Sequence, residues 1–201
     1  MAKILFYDIV RQQRVPAVIA SVDAANCYNI VAHLIASLFF QSFGVGEKSI
    51  TAMLEAIEEM KFFLLTAYGY SKNYAGSTIE VKTQVLCQRN GAAPAGWCVI
   101  SITILWCHKR KGYGDKFLAP ISIVKSDLAE ILLVEDTDLL HLIMGKIESI
   151  DETFEGLKDS FHNWGKLLIA TGGALKPPKF FYTLLDFEWN AKVKWKYNFH
   201  H

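Results

Sequence analysis

The stretch L-L-V-E-D-T-D-L-L, residues 132–140, sets three carboxylates within four positions of a run that otherwise reads as core, with I-L-L-V leading in and L-L-H-L-I-M leading out. Each apolar flank has the length of a buried strand, and E-D-T-D between them is turn-forming. A β-hairpin is therefore expected, with Glu135 to Asp138 at its tip. Anions crowded there repel one another. They either take up protons or bind a cation, and hard oxygen donors favour Mg²⁺ over softer-site metals such as zinc. The plainer reading is a solvated turn, where acidic residues are ordinary.

A metal site needs a further ligand, and the natural donor is Asp23. Residues 17–23, A-V-I-A-S-V-D, are short, partly β-branched and preceded by Pro16, which predicts a buried strand with Asp23 at its exit. Two such strands side by side would bring Asp23 together with Glu135 or Asp136. Apolar positions at helical spacing predict a helix from Tyr28 to about Phe43, with Ile30, Leu34 and Leu38 along its apolar face and Gly44 and Gly46 ending it. A second helix follows, capped by Ser49 or Thr51 unless Glu47 and Lys48 already belong to it, and its Met53, Leu54, Ile57 and Met60 turn inward. Residues 62–86 suggest a β-hairpin or irregular strand pair, and 92–109 a mostly buried helix whose start Pro94 and Gly96 delay. A strand is expected at 117–124, an amphipathic helix at 151–170 stopped by T-G-G, and a closing strand at 180–187. The sequence has no internal repeat and no linker that would divide it.

Bulk composition narrows the setting. At 201 residues the chain is long enough for one large domain or two small ones. Lys plus Arg number 21 against 20 Asp plus Glu, so any grip on a polyanion must be local. Cys27, Cys87, Cys98 and Cys107 show neither C-x-x-C nor paired-His spacing, which argues against a disulfide framework or a zinc knuckle. The N-terminal run M-A-K-I-L-F-Y-D-I-V-R lacks the pattern of a secretory signal, and an intracellular setting, cytoplasm or nucleus, is expected. The uncharged run at 91–107 sits at the lower length limit of a membrane span and, interrupted by Pro94 and Gly96, suits a buried helix better. No membrane partner is expected. Hydrophobic residues make up 52% of the chain.

Four segments, taken in order, carry a resemblance. V-D-A-A-N-C-Y-N at 22–29, Q-R-N-G-A-A-P at 88–94, V-E-D at 134–136 and T-G-G-A-L-K-P-P-K at 171–179 together resemble the palm of a reverse transcriptase. The likeness is to the retroelement type without long terminal repeats, whose motifs run D-A-x-x-C-Y-D, Q-G-N-G-A-A-P and F-x-D-D. It covers roughly residues 15–190 and implies an α+β fold, an antiparallel palm sheet backed by helices within residues 1–190, with fingers and thumb largely missing and a basic, aromatic tail at 191–201. It implies an RNA-directed DNA polymerase working with an RNA template, a DNA primer and deoxynucleoside triphosphates. Two Mg²⁺ ions about 3.5–4 Å apart, or Mn²⁺ in their place, would be held by Asp23, Glu135 and Asp136. Lys179 matches the fourth-motif lysine near the departing pyrophosphate and joins these acids as the catalytic set. Tyr28 takes the place of the aromatic gate that excludes a 2′-hydroxyl. Gln88, with Arg89 beside it, falls where the family holds the templating pair or incoming nucleotide, and residues 180–187 fall where it has a primer-gripping hairpin.

Three positions depart from the family pattern. Glu135 stands where the family has Asp, and its extra methylene moves the carboxylate by up to ~1.5 Å. Arg89 replaces a glycine whose value lies in lacking Cβ. Asn29 replaces the second acid of the first motif. Basic residues of the fingers are also missing upstream, where Lys3, Arg11 and Arg14 are the candidates before Asp23. The expectation is thus an impaired, truncated polymerase copy. Two alternatives stand beside it: a non-catalytic relic, and a small α/β binding module in which the acidic tip has no catalytic role. For the ending K-V-K-W-K-Y-N-F-H-H, a charged frayed tail is favoured over a single-strand platform.

Overall fold

Nine residues, Ala17–Ala25, form the strand around which the acidic site is organised. The structure, a computed structural model, describes the chain except residues 1, 14–15, 26, 30, 77–85, 87–90, 92, 119–124, 129, 134–135, 143–149, 191–193 and 201. In chain order the elements are α1 (Ala2–Gln13), β1 (Ala17–Ala25), α2 (His33–Ser42), α3 (Glu47–Glu58), β2 (Lys61–Thr66), β3 (Gly69–Gly76) and α4 (Ala93–Arg110). There follow β4 (Asp115–Leu118), β5 (Lys125–Leu128), β6 (Glu130–Leu133), β7 (Asp136–Leu142), α5 (Ile150–Ala170), β8 (Ala174–Leu175), β9 (Phe181–Asn190) and β10 (Lys194–His200). These group into two compact units: residues 1–25, 104–170 and 174–201, and residues 26–103 with 171–173. The boundaries fall at a strand end and inside α4, so no change of composition marks them.

In the first unit, strands run in the order β10-β9-β1-β7-β6 with every neighbouring pair antiparallel, and β8 pairs with the end of β1. Because β1 is central and covered on both faces, Ala17 to Ala20 are all buried and its sequence shows no apolar–polar alternation. On one face, Phe6 and Val10 of α1 are 0% and 1% exposed and pack with Ala17, Ile19, Leu140, Leu142 and Leu185. On the other lies α5, with Leu157, Trp164 and Leu168 buried. Gly156 permits this approach, since a Cβ there would stand 2.6 Å from His141 Nε2. The α+β architecture of an antiparallel sheet backed by helices is as expected.

Several local expectations are corrected. β1 continues two residues past Asp23, and β9 runs to Asn190 instead of stopping near 187. Residues 194–200 are not a frayed tail but β10, paired along β9 from Lys194 opposite Asn190 to His200 opposite Leu184. Asp136 and Asp138 belong to β7 rather than to a turn, because Leu133 pairs with Asp136 and leaves only positions 134 and 135 between the strands. Pro94 does not delay α4. It sits in the first turn, where its missing N–H has no helical partner to lose. No helix among the described residues is long and apolar enough to cross a membrane.

In the second unit the helix expected from Tyr28 is a single tight turn at Cys27–Asn29 followed by α2. Its buried stripe is His33, Ala36 and Phe40, while Leu34 and Leu38 are 72% and 52% exposed. α3 starts at Glu47 with Gly46 as its N-cap, and buries Ile50 and Ile57. The hairpin β2–β3 is as expected for its described part, and all six residues of β2 are exposed. Exposed apolar surface is therefore present, with Leu64 and Leu65 at 68% and 66%.

His108 closes the last turn of α4 in the first unit and is 1% exposed. Asn163 Nδ2 donates to its Nδ1 at 2.7 Å, its Nε2 lies 3.1 Å from Ser160 Oγ, and its ring stacks on Tyr113 at 4.7 Å. Burial pushes its pKa down to about 4, so the imidazole is neutral in the folded state. An unfolded histidine takes up a proton near pH ~6.5, so stability is lost as pH falls from there toward about 4. The slope this residue adds is at most about 1.4 kcal/mol per pH unit. Urea unfolding at pH 7 and pH 5 is expected to show this loss in the native chain and a smaller one in His108→Gln; equal losses would count against a neutral buried imidazole.

Candidate functional site

Asp23 on β1 and Asp136 on β7 are register partners, directly opposite one another across an antiparallel pair. Such neighbours project to the same face with Cβ atoms about 4.5–5.5 Å apart, and like charges so placed destabilise a sheet. Asp23 is 6% exposed, so its charge has lost most of its water and requires a partner. That partner is Lys179, whose Nζ lies 2.7 Å from Asp23 Oδ2. Asp136 stands exposed at the start of β7.

Lys179 is brought there by local chain geometry. After α5, β8 pairs Leu175 with Ala24 and Ala174 with Ala25. The Lys176 N–H donates to the Asp23 carbonyl at 2.9 Å, and the tight turn Pro177–Lys179 closes with the Lys179 N–H donating to the Lys176 carbonyl at 3.0 Å. The fourth-motif segment is thus tied to the backbone of the residue whose carboxylate its lysine meets.

One step further along the strands, on the same face, Ser21 is opposite Asp138 and donates a hydrogen bond to its Oδ1. Lys3 Nζ stands 3.0 Å from the same oxygen and 3.4 Å from Ser21 Oγ. Lys3, Phe6 and Val10 recur at helical spacing, so the stripe that buries α1 also aims Lys3 along β1 toward the acids. Lys3, Asp23, Asp136, Asp138 and Lys179 all line one cleft of about 700 Å³.

The sequence-predicted residues are thus distributed as follows. Asp23, Asp136 and Lys179 come together. Glu135, Gln88 and Arg89 lie outside the described residues, as does Arg14, and Arg11 is exposed on α1. Tyr28 belongs to the second unit, 9% exposed, with its ring edge-on to Trp97 at 6.2 Å and its carbonyl accepting from the Leu86 N–H at 2.7 Å. Ser21 and Asp138 were not anticipated as site residues. Their signal was the two-residue period of a strand, which places Ser21 with Asp23 and Asp138 with Asp136, but it carries meaning only once the register is known.

The donor set fits a hard divalent cation. Mg²⁺ is usually held by one or two carboxylates, with waters and substrate phosphates completing its shell. Asp23 and Asp136 supply such a pair, and among the described residues no group of three His, Cys, Asp or Glu is arranged as an all-protein cage.

No family model and no curated protein sequence matches the chain. Solved structures do. A telomerase from Candida tropicalis, in the apo form and truncated from its C-terminal domain, is similar at a TM-score of 0.58 with 12% identity over 97% of this chain and 38% of that one. Telomerases in complex with a TWJ fragment of telomeric RNA are similar too. The one from Candida tropicalis has a TM-score of 0.57 and 13% identity over 91% of this chain and 29% of that one. The one from Candida albicans has a TM-score of 0.50 and 13% identity over 98% of this chain and 33% of that one. The chain therefore spans between 29% and 38% of their lengths. At such identity the likeness shows the fold, a polymerase palm-like α+β fold of the reverse-transcriptase kind.

Whether α1 is a lid over this face or part of its wall is decided by magnitudes. Full burial of Phe6 and Val10 stabilises the unit by roughly 3–6 kcal/mol. The partly exposed Lys3–Asp138 pair contributes under about 1 kcal/mol. α1 is thus held by its core and forms a wall. In urea unfolding, Phe6→Ala is expected to lower stability by about 3–5 kcal/mol and Lys3→Met by less than about 1 kcal/mol; the reverse order would make the ion pair the anchor.

Proposed function

We propose that the chain is a nucleotidyl-transfer domain that extends a DNA primer on an RNA template. The observation that carries this reading is the opposition of Asp23 and Asp136 across β1 and β7, with Lys179 tied beside them. Motif order supports it, because the acids come from the first and third motifs and the lysine from the fourth. An RNA partner is supported by the two fold neighbours solved with telomeric RNA. The wording of the motifs at 22–29 and 88–94 is what supports a retroelement origin, since likeness to telomerases bears on the fold.

In this reading Asp23 and Asp136 hold divalent cations, a role the third motif assigns to Glu135 as well. The cations would be Mg²⁺, or Mn²⁺ in its place, which lower the pKa of a primer 3′-hydroxyl and stabilise charge on the phosphoryl group when bound. Asp23, already buried, is fixed in direction by β1. Asp136 closes the pair from the exposed side. Lys179 supplies positive charge to the phosphate chain. By the resemblance of their motifs, the role of sugar gate falls to Tyr28 and that of contact to the templating pair or incoming nucleotide to Gln88. Glu135 and Arg89 make this copy slow, because a displacement of about 1 Å at the reacting centre costs on the order of a hundredfold in rate.

Primer extension on an RNA template with Mg²⁺ tests the proposal. Weak extension is expected from the native chain, loss of it in Asp23→Asn, and a gain on the order of a hundredfold when Glu135→Asp and Arg89→Gly are combined. Extension that survives Asp23→Asn, or none even in the combined variant, would point to the non-catalytic module instead.

A further inference from the structure

The ammonium of Lys179 occupies the neighbourhood in which a cation shared by Asp23 and Asp136 would have to sit, 2.7 Å from Asp23 Oδ2. A divalent ion and an ammonium held by one small acidic pair repel each other strongly, so both are not accommodated at once. The two partners of this ion pair differ in freedom. The Asp23 side chain is 7% exposed and set by a central strand, whereas that of Lys179 is 57% exposed. The backbone on which Lys179 stands is fixed, by β8 on β1 and by the bond from the Lys176 N–H to the Asp23 carbonyl. The exposed part of Lys179 is its side chain, which lines the cleft. Lys3 does not share this role, because it lies against Asp138, one step away on the strands.

We infer that Lys179 is an exchangeable counter-ion of the acidic pair, a tethered cation that yields its place on Asp23 to a divalent ion and then engages the phosphate chain of the nucleotide. The inference rests on the function proposed above and concerns how that same site is loaded. With the site empty, the ammonium screens the Asp23–Asp136 repulsion and competes with metal. With metal bound, it is released as a second cation for phosphate. Metal and nucleoside triphosphate therefore favour one another's binding, and by linkage the coupling factor is the same in either direction.

Two binding measurements on the full chain test it, neither requiring turnover. The first is Mn²⁺ affinity without nucleotide, read from the electron paramagnetic resonance signal of the free ion. Lys179→Met is expected to bind Mn²⁺ about five- to tenfold more tightly than the native chain, a coupling of ordinary size, and Lys179→Arg to bind like the native chain. The second is fluorescence anisotropy of a trace of labelled deoxynucleoside triphosphate at fixed free Mn²⁺, in which Lys179→Met is expected to bind more weakly. Opposite shifts in the two measurements are the signature of exchange. Mn²⁺ affinity unchanged or weakened in Lys179→Met would overturn the inference, since that is what a lysine merely supporting Asp23 would give. Mn²⁺ binding indifferent to Asp23→Asn would instead overturn the proposed function beneath it.

Discussion

Asp23 stands directly across from Asp136, and it is the packing of β1 that holds it there. Two carboxylates on facing positions of neighbouring strands lower the stability of a sheet, and one of these is nearly excluded from water. A one-residue slip would relieve the pair by turning every side chain of β1 to the other face. That slip is forbidden by the same strand's core contacts: Ala17 and Ile19 pack with Phe6 and Val10 of α1, and the alternate positions face α5. Packing thus holds in place a juxtaposition that electrostatics alone would oppose.

Cations answer the opposition. Lys179 reaches Asp23 from a turn bonded to the backbone of Asp23 itself, and Lys3 reaches Asp138 from the stripe that buries α1. Among the described residues the cleft is lined by three carboxylates and two ammonium groups, a surface of mixed charge. This local charge pattern is also compatible with the polyanionic partner of the proposed function in a chain of near-neutral charge. A balance of 21 basic and 20 acidic residues gives no overall basic excess, and the proposed site does not need one if the attraction is confined to a few ammonium groups and an ion.

How much of this was legible in the sequence follows from the range of each signal. β1, the hairpin of β6 and β7, and α5 were readable because short apolar runs bounded by turn residues, and one long amphipathic period, are local patterns. The buried face of α2 was not. Leu34, Ile35, Leu38, Phe39 and Phe40 make that helix apolar nearly all round, and periodicity cannot choose the stripe that tertiary packing covers. β10 was misread because its lysines suggested a solvated end, although K-W-K-Y alternates with the period of a strand. The meeting of Asp23 with Asp136 was anticipated from two strands that end in acids. The row of Ser21, Asp138 and Lys3 beside it was not, because strand register and the docking of α1 are decided by contacts far apart in the chain.

The most direct test of a cation shared between the facing strands is the anomalous scattering of Mn²⁺ in crystals of the chain grown with that ion. A peak is expected within coordination distance of the carboxylates of both Asp23 and Asp136, lost in Asp23→Asn. A peak bound to one of them alone, or none near the pair at saturating Mn²⁺, would contradict a shared cation.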